Sequence, residues 1–478
     1  MGISGTTRGL APMYRQLPHG PHGMTREDVA RNQRTRVYGA MIESISKYGY
    51  RASTVAGVIG LAGVSRRAFY EQFANKEQCF LATYDLVVAR SRKLAIDSWE
   101  QERGWANRIH AAFQRCLEDI AVAPKGPHLV FVDSLGIGPA ARARLQLAAS
   151  TQERLLTAGF DAAPDGVKLP QLISKAIVGG IRHIACTRLR EQREQELLNL
   201  TDELLDWVSA YRTPPGARLN ALMPKQPLHI PSTFPAFLTS GDVRSRTLGS
   251  VVHLTLDEGY AEVTDPQIAQ FAGTSTEAFH KQFTSKQECF LAVVDELARE
   301  VSEVVLDSMG DASCWSEEVR PAVSAFVEFF VARPSLIRIA FIDLFEVGPA
   351  MVKRMTTTIE SFTKMLDEAG PEPHRAPEIA AEAITGAIWA IISSYATNDR
   401  LGYLPYLVDH ITFIVLAPYV GAKQAMKSIE ASRPEDLKSG IVRVHDTPLE
   451  HAPAALAHAP AASRSQGRRP ARSRQHAR

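Results

Sequence analysis

Cysteine is scarce in this chain, and its few cysteines are scattered. There are five among 478 residues, an odd number, and no two stand in a C-x-x-C pair. This pattern is typical of buried thiols in a reducing cytosol. It excludes a disulfide framework and a cysteine-based zinc site, and we expect neither a metal nor a cofactor.

Long apolar runs and a strong net charge are also absent. No run of 18 or more consecutive apolar residues occurs, so we expect no membrane span. The opening residues MGISGTTRGLAPMYRQ have no apolar core, so we expect no signal peptide. The formal net charge is only +2, which by itself indicates no partner. Neither triad spacing, a metal-ligand cluster nor a nucleotide-binding loop is present, so we expect no enzymatic activity.

An internal repeat is the main feature that is present. Residues 64–85 read VSRRAFYEQFANKEQCFLATYD and residues 274–295 read TSTEAFHKQFTSKQECFLAVVD, with eleven of 22 positions identical. A second pair, FVDSLGIGPAARAR at 131–144 and FIDLFEVGPAMVKR at 341–354, keeps the same offset of 210 residues. This period is far longer than the repeats of a solenoid. The chain is therefore predicted to contain two copies of one domain.

Each copy has the periodicity of helices and little strand-like alternation. In the first copy, Val37, Met41 and Ile45 recur at helical spacing, and Gly49 supplies a stop. Residue types that favour helix N-caps precede the apolar segments. They are Thr25, Thr54, Ser65 and Asn75. We expect an all-α fold.

Residues 54–73, TVAGVIGLAGVSRRAFYEQF, have the spacing of a helix-turn-helix motif. Two short helices flank a turn at Gly63, where glycine adopts a left-handed backbone at low steric cost. The second helix of such a motif can enter the major groove of DNA. The segment is therefore a candidate DNA-binding element.

Three side chains of the second helix are predicted to project together. At about 100° per residue, Arg66, Arg67 and Tyr70 lie within one arc. Arginine can bond to guanine or to phosphate, and a tyrosine hydroxyl can donate to phosphate. Two arginines taken alone would equally fit a solvated helix face. We expect the opposite side to face the core, and it consists of Ser65, Ala68 and Phe69.

A second anion site is predicted at the start of the next helix. Lys76 lies there beside backbone amides, and helix N-termini carry partial positive charge. Thr54 is either a plain N-cap or a cap that also contacts phosphate. The predicted DNA-binding set is Thr54, Ser65, Arg66, Arg67, Tyr70 and Lys76.

The motif resembles the DNA-binding domain of the TetR family of bacterial transcriptional regulators. The first copy carries the family pattern at Thr54, Val58-Ile59, Ala62-Gly63-Val64-Ser65, Tyr70, Phe73 and Lys76, and Ile59 replaces the small residue usual there. The second copy carries it at Thr264, Ile268-Ala269, Ala272-Gly273, Ser275, Phe283 and Lys286. The likeness covers about 400 residues, as two full units.

The resemblance implies a fold and a mechanism for each unit. Three N-terminal helices would bind DNA, and a larger helical body would hold a small-molecule pocket and a two-helix dimerisation surface. That surface would lie at 170–189 and 377–396, each followed by a final helix at 196–211 and 403–419. Family members usually dimerise to bind palindromic operators. Here the dimer would form within one chain as a pseudo-dimer, or between two chains as a homodimer.

The second copy lacks the positive charge that binding to DNA requires. Residues 24–90 hold ten Lys/Arg and six Asp/Glu, whereas residues 234–300 hold five and ten. Affinity for DNA depends largely on neutralising phosphates. The positions that match the first copy's site, now degenerate, are Thr264, Ser275, Thr276, Glu277, His280 and Lys286.

The domain prediction divides the chain into seven segments. They are an N-terminal arm (1–23), a first head (24–75), a first body (76–212), a Pro-rich linker (213–239), a second head (240–285), a second body (286–425) and a basic tail (426–478). The two ends are expected to be disordered. The end of the tail, 463–478, holds six arginines and no acid, which favours a solvated segment and allows contact with nucleic acid.

These observations predict a cytoplasmic, nucleoid-associated transcriptional regulator. We expect a repressor that binds double-stranded operator DNA mainly through the first head and responds to a small-molecule effector. The alternative is a ligand sensor or partner-binding scaffold that kept the fold and lost the operator. Exposure of Arg66, Arg67 and Tyr70 on one surface would favour the regulator.

Overall fold

The computed structural model describes residues 25–165, 169, 171–212, 238, 241–309, 315–343, 347, 349–369, 376–398 and 400–432. The predictions for the arm 1–23, for nearly all of the linker 213–239 and for the tail beyond 432 lie outside these residues. Within them the regular structure is helical and no strand occurs. The predicted all-α fold of two tandem units is confirmed.

The first unit consists of nine α-helices among its described residues. They are α1 (Arg26–Ala52), α2 (Val55–Ala62), α3 (Arg66–Tyr70), α4 (Lys76–Gln101), α5 (Trp105–Val122), α6 (Lys125–Phe131), α7 (Pro139–Asp161), α8 (Gln171–Arg190) and α9 (Thr201–Ser209). Short 3-10 helices at Asp133–Gly136 and Glu194–Asn199 join neighbouring helices.

The second unit repeats this order. Its helices are α10 (Val243–Glu258), α11 (Asp265–Phe271), α12 (Thr276–Gln282), α13 (Lys286–Ser308), α14 (Trp315–Val331), α15 (Pro334–Arg338), α16 (Pro349–Ala369), α17 (Ala380–Thr397), α18 (Val408–Val420) and α19 (Ala422–Ser432). A π-helical turn at Ile339–Asp343 and a 3-10 helix at Leu401–Leu407 complete it.

Side-chain caps fix the helix boundaries of the first head. The Thr25 hydroxyl accepts from the backbone N–H of Asp28 at 3.1 Å, and the Asp28 carboxylate accepts from Thr25 in return, which completes a capping box. Asn75 accepts from the backbone N–H of Gln78 at 2.8 Å and starts α4. Gly49 has φ 74° and interrupts α1. The N-caps predicted at Thr25, Thr54, Ser65 and Asn75 are confirmed.

The matching cysteines of the two heads are core residues. Cys79 and Cys289 are both fully buried, and burial raises the pKa of each thiol to about 12. A thiol with such a pKa stays protonated near neutral pH and is a poor nucleophile. The prediction of buried thiols is confirmed at these two positions.

The two units are joined by close contact between α8 and α17. A Cβ added to Gly179 would clash with the Cβ of Ala390, and one added to Gly386 would clash with His183. One added to Gly180 would lie 2.5 Å from the carbonyl oxygen of Ala383. The helix backbones therefore approach more closely than larger residues allow. The pairing predicted for these two segments occurs within the chain.

Hydrogen bonds between polar groups also fix how the two units are oriented at this apolar contact. Arg188 donates two hydrogen bonds of 2.9 Å to the Glu382 carboxylate, in the bidentate geometry that arginine favours. The Tyr211 hydroxyl donates to the carbonyl oxygen of Ile414 at 3.0 Å. His183 lies within the same interface, where burial lowers its pKa to about 4, with Arg190 and Arg188 acting in the same direction. At neutral pH the imidazole is therefore uncharged.

The most apolar described segment belongs to the core. Leu401–Val420 is long and apolar enough to cross a membrane, with mean hydropathy 1.3. However, 67% of its most apolar 18-residue stretch is buried inside the protein. Burial against other helices accounts for its composition.

The second body extends past the boundary predicted at residue 425. Helix α19 runs to Ser432, because Ala425, Ser428 and Ile429 are buried against the second body. The part of the predicted tail up to Ser432 therefore belongs to the folded unit.

Replacing Gly179 by alanine tests the α8–α17 contact. The added methyl group overpacks the interface, and overpacking costs typically about 1–3 kcal/mol. Gly179→Ala should lower the denaturant midpoint of the full chain. The matched control is Gly60→Ala in α2, where an added Cβ has nothing within 4 Å. That change should raise the midpoint slightly, because alanine favours helix more than glycine does. Equal effects of the two changes would contradict the described contact.

Candidate DNA-binding site and ligand cavities

The helix-turn-helix of the first head is set by a glycine turn. Gly63 ends α2 with φ 60° and ψ 40°, a left-handed conformation in which glycine has little strain. The Val64 backbone N–H then donates to the carbonyl oxygen of Ile59 at 3.2 Å. This hydrogen bond closes the turn and orients α3.

A buried phenylalanine fixes which face of α3 is outward. Phe69 is 0% exposed, and its ring packs 5.4 Å from that of Phe73. Burying such a side chain stabilises by about 1.5–3 kcal/mol, so rotation of this short helix about its axis is opposed. The residues on the opposite face are thereby held towards solvent.

Arg66, Arg67 and Tyr70 form the exposed face of α3, as the sequence predicts. The Arg67 side chain is 88% exposed and Tyr70 is 45% exposed. The Arg66 guanidinium lies 5.7 Å from the centre of the Tyr70 ring. The Nε of Arg67 donates to Glu71 at 2.8 Å, and this hydrogen bond raises the pKa of Arg67. Nothing among the described residues covers this face.

Ser65 and Thr54 are exposed caps. Thr54 accepts from the backbone N–H of Gly57 at 3.1 Å, and Ser65 accepts from that of Ala68 at 3.1 Å. The prediction that Ser65 faces the core is wrong. Its hydroxyl must reach the free amides at the start of α3, and this requirement holds it at the exposed end of the helix.

Lys76 is engaged inside the head. Its ammonium donates to the carbonyl oxygens of Tyr50 at 2.9 Å and Ser53 at 3.0 Å, and lies 4.2 Å from the centre of the Tyr50 ring. Burial lowers its pKa. Lys286 makes the same contacts in the second head, donating to Tyr260 and Val263 at 2.8 and 2.6 Å. Both lysines hold the end of the first helix of the head to the start of the fourth.

The second head keeps the frame of the first. Gly273 has φ 67°, and Phe279 is 0% exposed. Ser275 accepts from the backbone N–H of Ala278 at 3.0 Å. Thr264 forms a capping box with Gln267 at the start of α11. The interactions that fold the motif are thus retained.

The outward face of α12 differs in charge. Glu277, at the position of Arg67, pairs with Lys281 at 3.0 Å and is 80% exposed. Lys281 matches Glu71, so the polarity of the pair is reversed between the heads. The His280 ring lies 3.8 Å from the carboxylate of Asp265 and takes the place of Tyr70. Thr276, also exposed, adds no charge.

Glu71 is a site residue that the sequence prediction missed. Its i,i+4 spacing from Arg67 is visible in the sequence and is the spacing at which ion pairs form along a helix. An exposed pair of this kind is weak. Arg67 can therefore exchange its carboxylate partner for a phosphate.

The first body encloses a cavity of about 770 Å³ between α4, α5, α7 and α8. Its wall is mostly apolar, and its polar residues include Tyr84, Gln152 and Arg182, called the polar corner below, together with Asp85, Arg92 and Arg144. The Gln152 amide oxygen is buried without a hydrogen-bond partner among the described residues, and the buried Tyr84 hydroxyl interacts with Arg182. The Arg182 guanidinium lies on the Phe131 ring, 4.9 Å from its centre. Burial raises the pKa of Tyr84, and the charge of Arg182 opposes this shift.

The second body contains a smaller and less polar cavity, which is partly open. It measures about 220 Å³ and lies between α13, α14, α16, α17 and α18. Apart from two tryptophans, the polar residues described in its wall are Thr358 and Thr385. Their hydroxyls donate to the carbonyl oxygens of Arg354 at 3.1 Å and Ala381 at 2.9 Å. No charged side chain is among the described residues that line this cavity.

The large aromatic residues of the first body have two different roles. Trp99, Phe113 and Phe131 line the 770 Å³ cavity. Trp105 packs against Phe160 with ring centres 5.5 Å apart, and Trp207 is fully buried beside Gly180 of α8. No sequence signal separates the cavity wall from the core. The polar corner at Tyr84, Gln152 and Arg182 was missed for the same reason.

Comparisons with known proteins agree with this geometry. Residues 40–83 and 252–293 each match the profile described as bacterial regulatory proteins, tetR family. The chain is similar to the HTH-type transcriptional activator FasR of Mycolicibacterium smegmatis, with 25% identity over 162 residues that cover 33% of this chain and 74% of FasR.

Two solved structures are among those similar to this chain. The fatty acid degradation regulator FadR from Bacillus halodurans has a TM-score of 0.34 at 15% identity, covering 38% of this chain and 98% of FadR. The transcriptional regulator FadR from Bacillus subtilis, solved in complex with stearoyl-CoA, has a TM-score of 0.33 at 17% identity, covering 36% and 96%.

Both profile matches overlap the helix-turn-helix segments described above. Residues 40–83 and 252–293 of the chain therefore each carry the DNA-binding domain of the tetR family of bacterial regulatory proteins.

Proposed function

We propose that this regulator binds operator DNA through the first head and that a ligand in the first body controls the binding. The observation that carries the proposal is the outward face of α3, where Arg66, Arg67 and Tyr70 project together above the buried Phe69. Arginine suits guanine edges and phosphates in the major groove. The Tyr70 hydroxyl and the capping hydroxyls of Thr54 and Ser65 are placed to contact phosphate.

The second head is proposed to support the fold without a comparable contribution to DNA binding. A carboxylate at Glu277 would meet the phosphate backbone where the first head presents Arg67. Bringing like charges together is unfavourable, and replacing a cation removes the release of counterions. The alternative function, a sensor or scaffold without DNA binding, is favoured by the second head alone.

The contact between α8 and α17 determines which kind of operator we propose. Family members dimerise to present two heads, and here the corresponding surface is engaged within one chain. One chain therefore presents one basic head and one acidic head. We propose an asymmetric operator in which the first head makes most of the contacts. Whether binding represses or activates depends on where that operator lies relative to the promoter, and the relative FasR is named an activator.

The effector is proposed to be an amphipathic anion with a long apolar part. The 770 Å³ cavity has the size of a site for a drug-sized ligand. Its apolar wall suits a hydrocarbon chain, and Arg182 with the Tyr84 hydroxyl offers donors to a carboxylate.

Helices α4 and α6 connect this cavity to the first head. α4 lines the cavity beyond Tyr84 and starts at Lys76, which is bonded to the end of α1. α6 ends at Phe131 beneath Arg182, and at its start Lys125 pairs with Glu43 of α1 at 2.6 Å. A ligand that displaces either helix changes the position of the head. The coupling is reciprocal, so operator DNA also changes the affinity for the ligand.

The DNA-binding proposal is tested by matched changes in the two heads. Arg66→Ala/Arg67→Ala should weaken binding by about 1–3 kcal/mol for each base that an arginine no longer reaches. The slope of log affinity against log salt should become shallower by about 0.9 for each phosphate that an arginine no longer neutralises. Thr276→Ala/Glu277→Ala changes the two positions of the second head that match Arg66 and Arg67. It should leave the affinity for DNA nearly unchanged or slightly higher. Fluorescence anisotropy on a selected operator, at two salt concentrations, measures both.

Equal weakening by the two double variants would show that both heads bind DNA. No salt-dependent, sequence-preferring binding by the unchanged protein would favour the sensor or scaffold.

The effector proposal is tested with 11-(dansylamino)undecanoic acid, a fluorescent amphipathic carboxylate. Arg182→Gln should weaken its binding about ten-fold or more, because a hydrogen bond to a charged group contributes about 1.5–3 kcal/mol. Arg92→Gln is the control, since Arg92 is an exposed residue at the same cavity. The primary amide of the probe should be insensitive to both changes. If Arg182→Gln and Arg92→Gln act alike, the carboxylate is not held at Arg182.

A further inference from the structure

We propose that the second body binds a second ligand of different chemistry, a small neutral apolar molecule, and that this ligand changes the affinity of the first cavity through α17 and α8. The proposed binding of this ligand is argued from the second cavity alone. The proposed coupling between the two cavities rests on the proposed function of the first cavity. One regulator would thus respond to two unlike molecules.

The wall of the second cavity determines the class of ligand. Thr358 and Thr385 carry the hydroxyls described there, and both already donate to backbone carbonyls of their own helices. Thr385 also accepts from the Thr363 hydroxyl at 3.1 Å. A carboxylate or phosphate placed here would lose water and gain no cation from the described residues of the wall, which is strongly unfavourable. A hydrocarbon loses nothing comparable.

The cavity volume sets the size of the ligand. An apolar cavity of about 150 Å³ stays dry and binds benzene. In proportion, the 220 Å³ of the second cavity corresponds to about nine carbon atoms. A substituted benzene or a short branched hydrocarbon has this size. A molecule with the long chain proposed for the first cavity does not fit.

Helix α17 has one face on this cavity and the other on the first unit. Ile388, Trp389 and Ile392 line the cavity, and the Trp389 ring packs 4.3 Å from that of Phe341. On the opposite face, Gly386 contacts α8 so closely that a Cβ there would clash with His183. A ligand that moves Trp389 therefore moves a helix that has no free space behind it.

Helix α8 repeats this arrangement towards the first cavity. Ile181 and Arg182 line the first cavity, and Gly179 and His183 face α17. The two ligands would thus lie on opposite sides of one packed helix pair. Closely packed interfaces shift between discrete arrangements and do not absorb strain locally. Occupancy of one cavity is therefore transmitted to the other, including to the residue proposed to hold the anion.

Binding to the second cavity is tested by calorimetry with n-propylbenzene. We expect one site per chain, which Ala322→Trp in α14 abolishes because the new side chain fills the cavity. Ala325→Trp is the control, on the same helix and outside the cavity wall. Ala298→Leu in α13 is a milder filling change, and it should weaken binding even if Ala322→Trp does not fold. 3-Phenylpropanoate, in which a carboxylate replaces the terminal methyl, should not bind there.

Coupling is tested by titrating 11-(dansylamino)undecanoic acid with and without saturating n-propylbenzene. The Kd should change about five-fold or more, and Kd for n-propylbenzene should change by the same factor in return. The change should persist in Ala325→Trp and vanish in Ala322→Trp. Filling the first cavity with Ala112→Trp should abolish dansyl binding and leave n-propylbenzene binding intact, whereas Ala111→Trp, outside that cavity wall, should preserve both.

Each failure has its own signature. No n-propylbenzene binding, or equal binding to unchanged protein and Ala322→Trp, would overturn the second site. Two bound ligands with independent affinities would overturn the coupling alone. Absence of dansyl binding to the unchanged protein, with n-propylbenzene binding intact, would overturn the proposed function of the first cavity and, with it, the coupling.

Discussion

The close contact of α8 with α17 is the constraint on which the rest of this structure depends. Glycines at 179, 180 and 386 let two helices of unlike units approach until a single methyl group would not fit. The contact joins, within one chain, the two segments at which the family resemblance predicts a dimerisation surface. Each chain is thus committed to one pair of unlike units. That commitment allows the units to diverge, because every pair contains one of each.

Divergence has acted on surfaces and cavities while the internal contacts were kept. Lys76 and Lys286 make equivalent bonds to backbone carbonyls, and Phe69 and Phe279 are equally buried. The exposed ion pair has opposite polarity on α3 and on α12. The cavity of the first body is large and has a polar corner, whereas the cavity of the second body is small and apolar. Folding depends on the internal contacts that the two units share. The proposed function depends on the surface charges and cavities in which they differ.

The features that sequence predicted are local ones. Thr54, Ser65, Asn75 and Gly63 act within one turn of their own positions, so their residue types and spacing were enough to place the caps and the turn. The orientation of Arg66, Arg67 and Tyr70 followed from helical geometry. The bonds from Lys76 to Tyr50 and Ser53 join distant positions, and the carbonyls they reach carry no sequence signature. The cavity corner at Arg182 and the α8–α17 contact are equally non-local, since they depend on which helices become neighbours.

We propose that one chain presents one DNA-binding head and keeps its partner head for the fold. Selection of binding sites from a random DNA library by the purified protein would distinguish this arrangement from two active heads. We expect an asymmetric sequence in which one half-site is strongly specified and the other weakly or not at all. Enrichment of a palindrome with two equally specified half-sites would contradict it.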